Sequence, residues 1–436
     1  MASIASSGYT HTEAPAILLK NATYLAPTMR LDQADICIVD GRIAAILPVT
    51  GARPDTAGAV VDCTGMFLLP GLINAHFHSQ SNAGRGLFCN MGLHDWAGPG
   101  VQGQLQRRFF DFLDTGATDD ELRTICLQAY VELLRQGVTF TQDSGLGERS
   151  AVLLMEAANT AGIRALIDAY DAIDALRDRV AGQVRFGGHL PEEEDITDAT
   201  LAAAVQVRSA SDLILMTHCL ETPQRKAIVV QHYGRSTVQL FADHSLLDGR
   251  TVLFHGVELS DDDIRVLAAR GASLVHCPVS NLSAIAPLGK CLAHGVNVAL
   301  GTDFGYADLW ETMRVAFYLQ KGRREIRPVD AETIWRMATI NGARAYQLGD
   351  HLGAIAEGYA ADLVFVDGAD LALLPLVERE GFTNRLHNLL IWGRPHMVRH
   401  VMIAGEWVVQ ERQVMTVDEQ ALAARYQRIM QRIVSL

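Results

Sequence analysis

Eight short apolar runs, each followed by a helical pattern, fill the middle of the chain, and this alternation limits the possible folds more than any other feature. The runs are Phe67–His78, Val138–Asp143, Ile163–Asp168, Val184–His189, Leu213–His218, Thr251–His255, Ser273–His276 and Asn297–Asp303. Between them, Thr118-Asp119-Asp120-Glu121 is a capping box. It opens a helix whose apolar residues Leu122, Ile125, Cys126, Ala129, Tyr130 and Leu133 recur at i, i+3 and i+4, up to a stop at Gly137. Ser260-Asp261-Asp262-Asp263 opens another helix, ended by Gly271. Eight β/α units in order predict an α/β chain built on a (β/α)8 (TIM) barrel, with its active site at the C-terminal ends of the strands.

The two ends of the chain are rich in strand signals. Asp40-Gly41 joins Asp35–Val39 to Arg42–Ile46, a strong hairpin signal. Leu363–Val366 and the flanks of Ala404-Gly405-Glu406 repeat the style. Neither piece has enough strands for a core of its own, so residues 16–66 and 352–415 are expected to form one small β-sandwich domain. The barrel is expected over 67–351, an N-terminal tail over 1–15, and a C-terminal helix over 416–436 with Leu422, Tyr426, Ile429, Met430 and Ile433 on one face. The acidic Pro191-Glu192-Glu193-Glu194-Asp195 reads as a solvated loop.

Composition narrows the function. Hydrophobic residues make up 49% of 436 and charged residues 20%, enough for a large core. A net charge of -13 argues against nucleic acid, whose binding needs surplus Lys and Arg. No apolar run approaches about 18 residues, so no membrane span is expected, and the first fourteen residues do not read as a secretory signal. Seven scattered cysteines without a CxxC disfavour disulfides and thiolate zinc sites, which suits a reducing cytoplasm.

The chemistry begins with His76-Phe77-His78. Residues i and i+2 of a strand face the same way, and two imidazoles on one face can chelate a divalent metal. Alone the pattern is weak, since 15 histidines give roughly half an HxH per chain by chance. Context strengthens it. His189, His218, His255, His276 and Asp303 end the fourth to eighth strand runs in turn, and core histidines have no reason to collect at one end of successive strands. Cys219 and Cys277 alternate away from the lumen and read as packing.

Pro70-Gly71-Leu72-Ile73-Asn74-Ala75-His76-Phe77-His78 resembles the first-strand signature of the amidohydrolase superfamily. His218-Cys219-Leu220-Glu221 resembles its HxxE motif. His255-Gly256, Val275–Asn281 and Leu300-Gly301-Thr302-Asp303 are similar to segments of the triazine hydrolase and cytosine-type deaminase branch, and the resemblance spans about residues 16–412. It implies a mononuclear site with His76, His78, His218 and Asp303 as ligands of one divalent metal per chain, Zn2+ first, with Fe2+ or Mn2+ as alternatives. A binuclear site commonly uses a carboxylated Lys on the fourth strand, and the only lysines are Lys20, Lys226, Lys290 and Lys321.

Glu221, His255 and Asp303 are the expected catalytic groups. Glu221, three residues past a ligand, suits proton transfer from water to a ring nitrogen or leaving amine. His189 and His276 are each expected to meet a substrate heteroatom or to orient a neighbouring side chain by a hydrogen bond, and Arg85, Trp96 and Phe304 to line the pocket. Asn281 is expected to shape its loop or bind substrate, and Tyr306 and Trp310 are further candidates for stacking. Together these imply a deaminase acting on a nitrogen heterocycle or amidine, with a small-molecule substrate and a homo-oligomeric (dimer or tetramer) assembly. The alternatives are dechlorination or urea or carbamate cleavage at the same site, and a non-catalytic assembly scaffold.

Overall fold

The computed structural model describes residues 17–49, 58–89, 91–146, 149–176, 178–179, 182–281, 286–321 and 329–435, so the expected tail over 1–15 lies outside the described residues. Leu72–Asn74, Val138–Asp143, Arg164–Asp168, Val184–His189, Leu215–Cys219, Thr251–His255, Ser273–His276 and Asn297–Leu300 pair in chain order as one eight-stranded parallel sheet. The first and last strands meet through short contacts. Ala75 N donates to Leu300 O at 2.8 Å, Asp303 N donates to His76 O at 3.0 Å, and Phe77–His78 pairs in parallel with Asp303–Phe304. The α/β barrel expected from the alternation is therefore present, and its closing seam runs through His76, His78 and Asp303.

The run Phe67–His78, expected as one barrel strand, divides in two. Met66–Pro70 pairs with Ile17–Leu25 and Leu363–Asp367 outside the barrel, and only Leu72 onward enters it. Gly71 makes the crossing because a Cβ there would lie 2.0 Å from Thr139 Oγ1. The boundary of the β domain thus falls at Gly71, a few residues beyond Met66.

Strands from both ends share a nine-stranded sheet, in the order Gln413–Val414, Glu406–Gln410, Val398–Ile403, Leu363–Asp367, Met66–Pro70, Ile17–Leu25, Leu31–Val39 and Arg42–Leu47, with Ala59–Asp62 beside Ile17–Leu25. Alternation sorts its faces. Leu363 and Phe365 join Leu19, Ile36, Leu68 and Met402 in a core of their own, while Val364 and Val366 join the barrel core. Arg164 and Asp362 tie the two parts by paired bonds of 2.7 and 3.0 Å.

The capping-box helix runs Asp119–Arg135, capped by Thr118 and Glu121 as expected. The C-terminal helix, Glu419–Ser435, lays Ile429 and Ile433 on Phe109 and Phe112. Among the described residues, no helix is long and apolar enough to cross a membrane.

Candidate active site

Five side chains from the barrel's strand ends converge at the closing seam. His76 Nε2 and His78 Nε2 lie 3.3 and 3.4 Å from Asp303 Oδ1. His218 Nε2 is 3.3 Å from His78 Nε2. His255 Nε2 stands slightly back, 4.0 Å from Asp303 Oδ2 and 3.9 Å from Glu221 Oε1. One ligand atom each from His76, His218, His255 and Asp303 falls within 4.8 Å of every other.

The four histidines share one orientation. His76 Nδ1 donates to Gln142 Oε1 (3.0 Å), His78 Nδ1 to Gly145 O (2.8 Å), His218 Nδ1 to Glu192 Oε1 (2.7 Å) and His255 Nδ1 to Asn281 Oδ1 (3.0 Å). Each oxygen accepts, which assigns the ring proton to Nδ1 and leaves Nε2 as a bare lone pair. Lone pairs on His78 and His218 that face each other at 3.3 Å repel unless a cation or a proton lies between them. The donor set therefore fits a divalent metal, with outer oxygens that orient the ring ligands.

Burial and neighbouring charge compete at each of these groups. His76 is fully buried, which pushes it down to about 3, and burial also lowers His78. Burial opposes a charge on Asp303, but His255 and His76 outweigh it and hold the carboxyl far below its usual range. Burial likewise opposes a charge on His218, but Glu192 lifts its proton affinity above the ordinary value. A cation at Nε2 would take the place of that proton.

The backbone is strained around this centre. His255, Asp303 and Leu220 adopt φ of 73°, 65° and 52°, the left-handed region that non-glycine residues rarely occupy. Such strain gathers at functional sites and persists only where the surroundings hold it. At Leu220, Glu193 supplies part of that hold by accepting from the amide at 3.0 Å.

The expected site residues divide. His76, His78, His218, His255, Asp303 and Glu221 come together. Phe304 faces His78 at 6.1 Å between ring centroids, and Trp96 and Phe88 each lie 4.9 Å from Phe304, forming a half-buried aromatic wall. His276 is fully buried at the end of its strand, outside the group of four ligand atoms. Arg85 does not reach the site. The turn after Ser79–Gly84 sends its guanidinium outward to Glu132 at 3.1 Å, and its side chain is 51% exposed. His189 is bonded to neighbouring carboxylates, with Asp168 accepting from its Nδ1 at 2.8 Å and Glu192 3.4 Å from its Nε2. Burial opposes its charge, but these carboxylates raise it to about 10. Trp310 packs against Trp335 and donates to Gln136 O, so it is core, whereas Tyr306 is exposed. Cys219 and Cys277 are buried, and burial raises both thiols well above their usual range.

The sequence reading missed the residues behind the histidines, apart from Asn281, which it named for a different role. Gln142 and Asn281 orient His76 and His255. Asp143 accepts from Tyr130 Oη (2.9 Å) and Gly145 N (2.8 Å), which fixes the turn whose carbonyl holds His78. The acidic loop, expected to be solvated, includes Glu193 at 1% exposure and Glu192 against His218. Gln142 and Asp143 sit at the C-terminal end of a barrel strand, and that position was a usable signal. Glu192 offered none beyond its charge.

Comparison with known proteins follows the same lines. The amidohydrolase family model matches residues 67–408. A 5-methylthioadenosine/S-adenosylhomocysteine deaminase of Syntrophobacter fumaroxidans is 32% identical over 427 residues, covering 91% of this chain and 93% of that protein. A 5'-deoxyadenosine deaminase of Methanosarcina mazei is 29% identical, covering 96% and 98%. The crystal structure of an adenosine deaminase from Xanthomonas campestris with bound zinc superposes with a TM-score of 0.85 at 26% identity, over 96% of this chain and 99% of that one.

Proposed function

The chain belongs to the amidohydrolase family and is a hydrolase of non-peptide C–N bonds, a deaminase, and from that premise we propose that it removes the exocyclic amino group of an adenine nucleoside or a close heterocyclic analogue, with release of ammonia. The observation that carries this reading is the convergence of four Nε2 lone pairs and Asp303 beside Glu221. The two deaminases named above from Syntrophobacter fumaroxidans and Methanosarcina mazei are named for adenine nucleosides altered at the 5' position, and the aromatic wall of Phe304, Trp96 and Phe88 suits a planar ring.

His76, His78, His218 and Asp303 would hold one divalent ion, zinc first. His78 is preferred to His255 as the fourth ligand because its Nε2 makes contacts of 3.3 and 3.4 Å, against 3.9 and 4.0 Å for His255. When bound, such an ion supplies Lewis acidity and lowers the pKa of water toward neutrality. The other steps belong to the chain. Glu221 takes one proton from the attacking water and delivers it to the ring nitrogen, then takes the second from the hydroxyl of the intermediate and delivers it to the departing amine. His255, with its Nδ1 proton committed to Asn281, presents Nε2 as an acceptor that orients the water. Water adds to the amino-bearing carbon, a tetrahedral intermediate forms, and its collapse breaks the C–N bond.

A cytoplasmic setting belongs to this reading, supported by seven cysteines that are not joined in disulfides. A homodimer or homotetramer is the expected assembly, which sedimentation measures. The test of function is ammonia release by the zinc-loaded protein from adenosine, 5'-deoxyadenosine, 5'-methylthioadenosine and S-adenosylhomocysteine. Ammonia should appear in step with the inosine-type product. No turnover on any of the four, by protein carrying one metal per chain, would overturn the substrate class.

A further inference from the structure

The turn His218-Cys219-Leu220-Glu221 carries a proposed ligand and the proposed proton carrier, and the acidic loop after the fourth barrel strand grips it from behind. Each glutamate of that loop takes a different hold. Glu192 Oε1 accepts from His218 Nδ1 at 2.7 Å. Glu193 accepts from Leu220 N at 3.0 Å and from the Thr237 hydroxyl. Glu194 accepts from Arg225 Nε and Nη2, both at 2.8 Å. Arg225 closes the circuit, donating from Nη2 to Glu192 Oε2 at 2.6 Å and from Nη1 to Glu221 Oε2 at 3.1 Å. It stands in the first turn of Pro223–Tyr233, the helix that directly follows the turn.

We propose that Glu192 and Arg225 are positioning residues that set the ligand His218 and the proton carrier Glu221 as one unit. Glu192 keeps the ring proton of His218 on Nδ1, so that Nε2 meets the centre as a lone pair. Arg225 holds the Glu221 carboxylate toward His255 and links its position to that of Glu192. Buried ion pairs add little stability compared with apolar packing, so the largely buried pair of Glu192 and Arg225 behind this turn is poorly explained by fold alone. The guanidinium fork suits the task, because it can bond several carboxylates at fixed angles where an ammonium cannot. The inference rests on the roles given above to His218 and Glu221.

The first readout is zinc affinity, measured by competition with a chelator on the full-length protein. Glu192→Leu should weaken zinc binding by about 10- to 100-fold, the usual effect of losing an orienting partner. Glu192→Gln, whose amide oxygen still accepts from Nδ1, should stay within about threefold of wild type. Wild-type affinity in Glu192→Leu, or equal loss in both variants, overturns the role of Glu192. If Glu192→Leu fails to fold, histidine-labelled, zinc-loaded wild type decides by long-range 15N–1H spectra. His218 protonated on Nδ1 supports the inference, and protonation on Nε2 overturns it. The second readout is the rate. Arg225→Lys should keep zinc affinity within about threefold while kcat falls by about tenfold or more, as expected for a displaced reacting group. Unchanged kcat overturns the role of Arg225. A His218→Ala control separates the failures. If it binds zinc like wild type, the ligand reading fails. If it loses zinc while Glu192→Leu keeps it, only the present inference fails.

Discussion

Replacing Glu221 by Gln separates chemistry from scaffolding, because the structure sets the two costs far apart. The stability cost should be small. Arg225 loses one carboxylate but keeps Glu192 and Glu194, so no buried charge is orphaned, and the new amide oxygen can still accept from Nη1. About 1 kcal/mol, the net worth of one hydrogen bond, is the expected scale. In a chain of 436 residues that moves Tm by only about 1 °C. Glu221 is turned to Arg225 and His255 and is not one of the proposed ligands, so metal content should stay at about one ion per chain. The effect on rate should be large. A positioned acid–base group contributes about 10²–10⁴, or roughly 2.7–5.4 kcal/mol at 1.36 kcal/mol per tenfold. The assay compares kcat for ammonia release at saturating substrate, beside metal content and Tm, for wild type and Glu221→Gln. A kcat within about threefold of wild type, with metal retained, would refute the proton-transfer role.

Three other outcomes are expected. His78→Ala should purify with much less metal than His255→Ala, by elemental analysis, and the reverse order would make His255 the fourth ligand. Arg85→Ala should leave kcat and KM unchanged and cost no more than about 1 kcal/mol in denaturant unfolding, since its pair with Glu132 is exposed. His189 is raised from 6.5 to about 10, so its pairing stabilises the fold fully below about pH 6.5 and loses that effect as pH rises toward 10. The stability gap between wild type and His189→Gln should therefore shrink from pH 6 to pH 9.5, and a gap that widens would show that His189 folds uncharged.

The barrel and its metal-type residues were legible because both follow from local rules. Alternating apolar runs mark strands, and a His or Asp at successive strand ends marks one rim. The division of Phe67–His78 was not legible, since Met66–Pro70 and Leu72–Asn74 are equally apolar and only the contact of Gly71 with Thr139 separates them. Arg85 misled because a short turn, invisible to motif spacing, swings it toward Glu132. The loop Glu192-Glu193-Glu194 misled for the opposite reason. A run of like charge normally faces water, and its counter-charge, Arg225, lies 31 to 33 residues away. Asn281 was noticed, but its partner His255 belongs to a neighbouring strand, and only the folded barrel joins them.

The sheet shared by the two ends has a consequence for synthesis. Met66–Pro70 finds its partner Leu363–Asp367 only after about 290 further residues have left the ribosome. At ~5–20 residues per second that wait lasts roughly 15–60 seconds. During it the apolar Met66–Pro70 exposes one edge to neighbouring nascent chains, a known route to mispairing. Inside the barrel Phe77–His78 likewise waits for Asp303–Phe304, while the strands between pair with the next in chain order. The last part of the chain to be made is thus the part that shields the first, and losses in production of this protein should concentrate in chains stopped before Leu363.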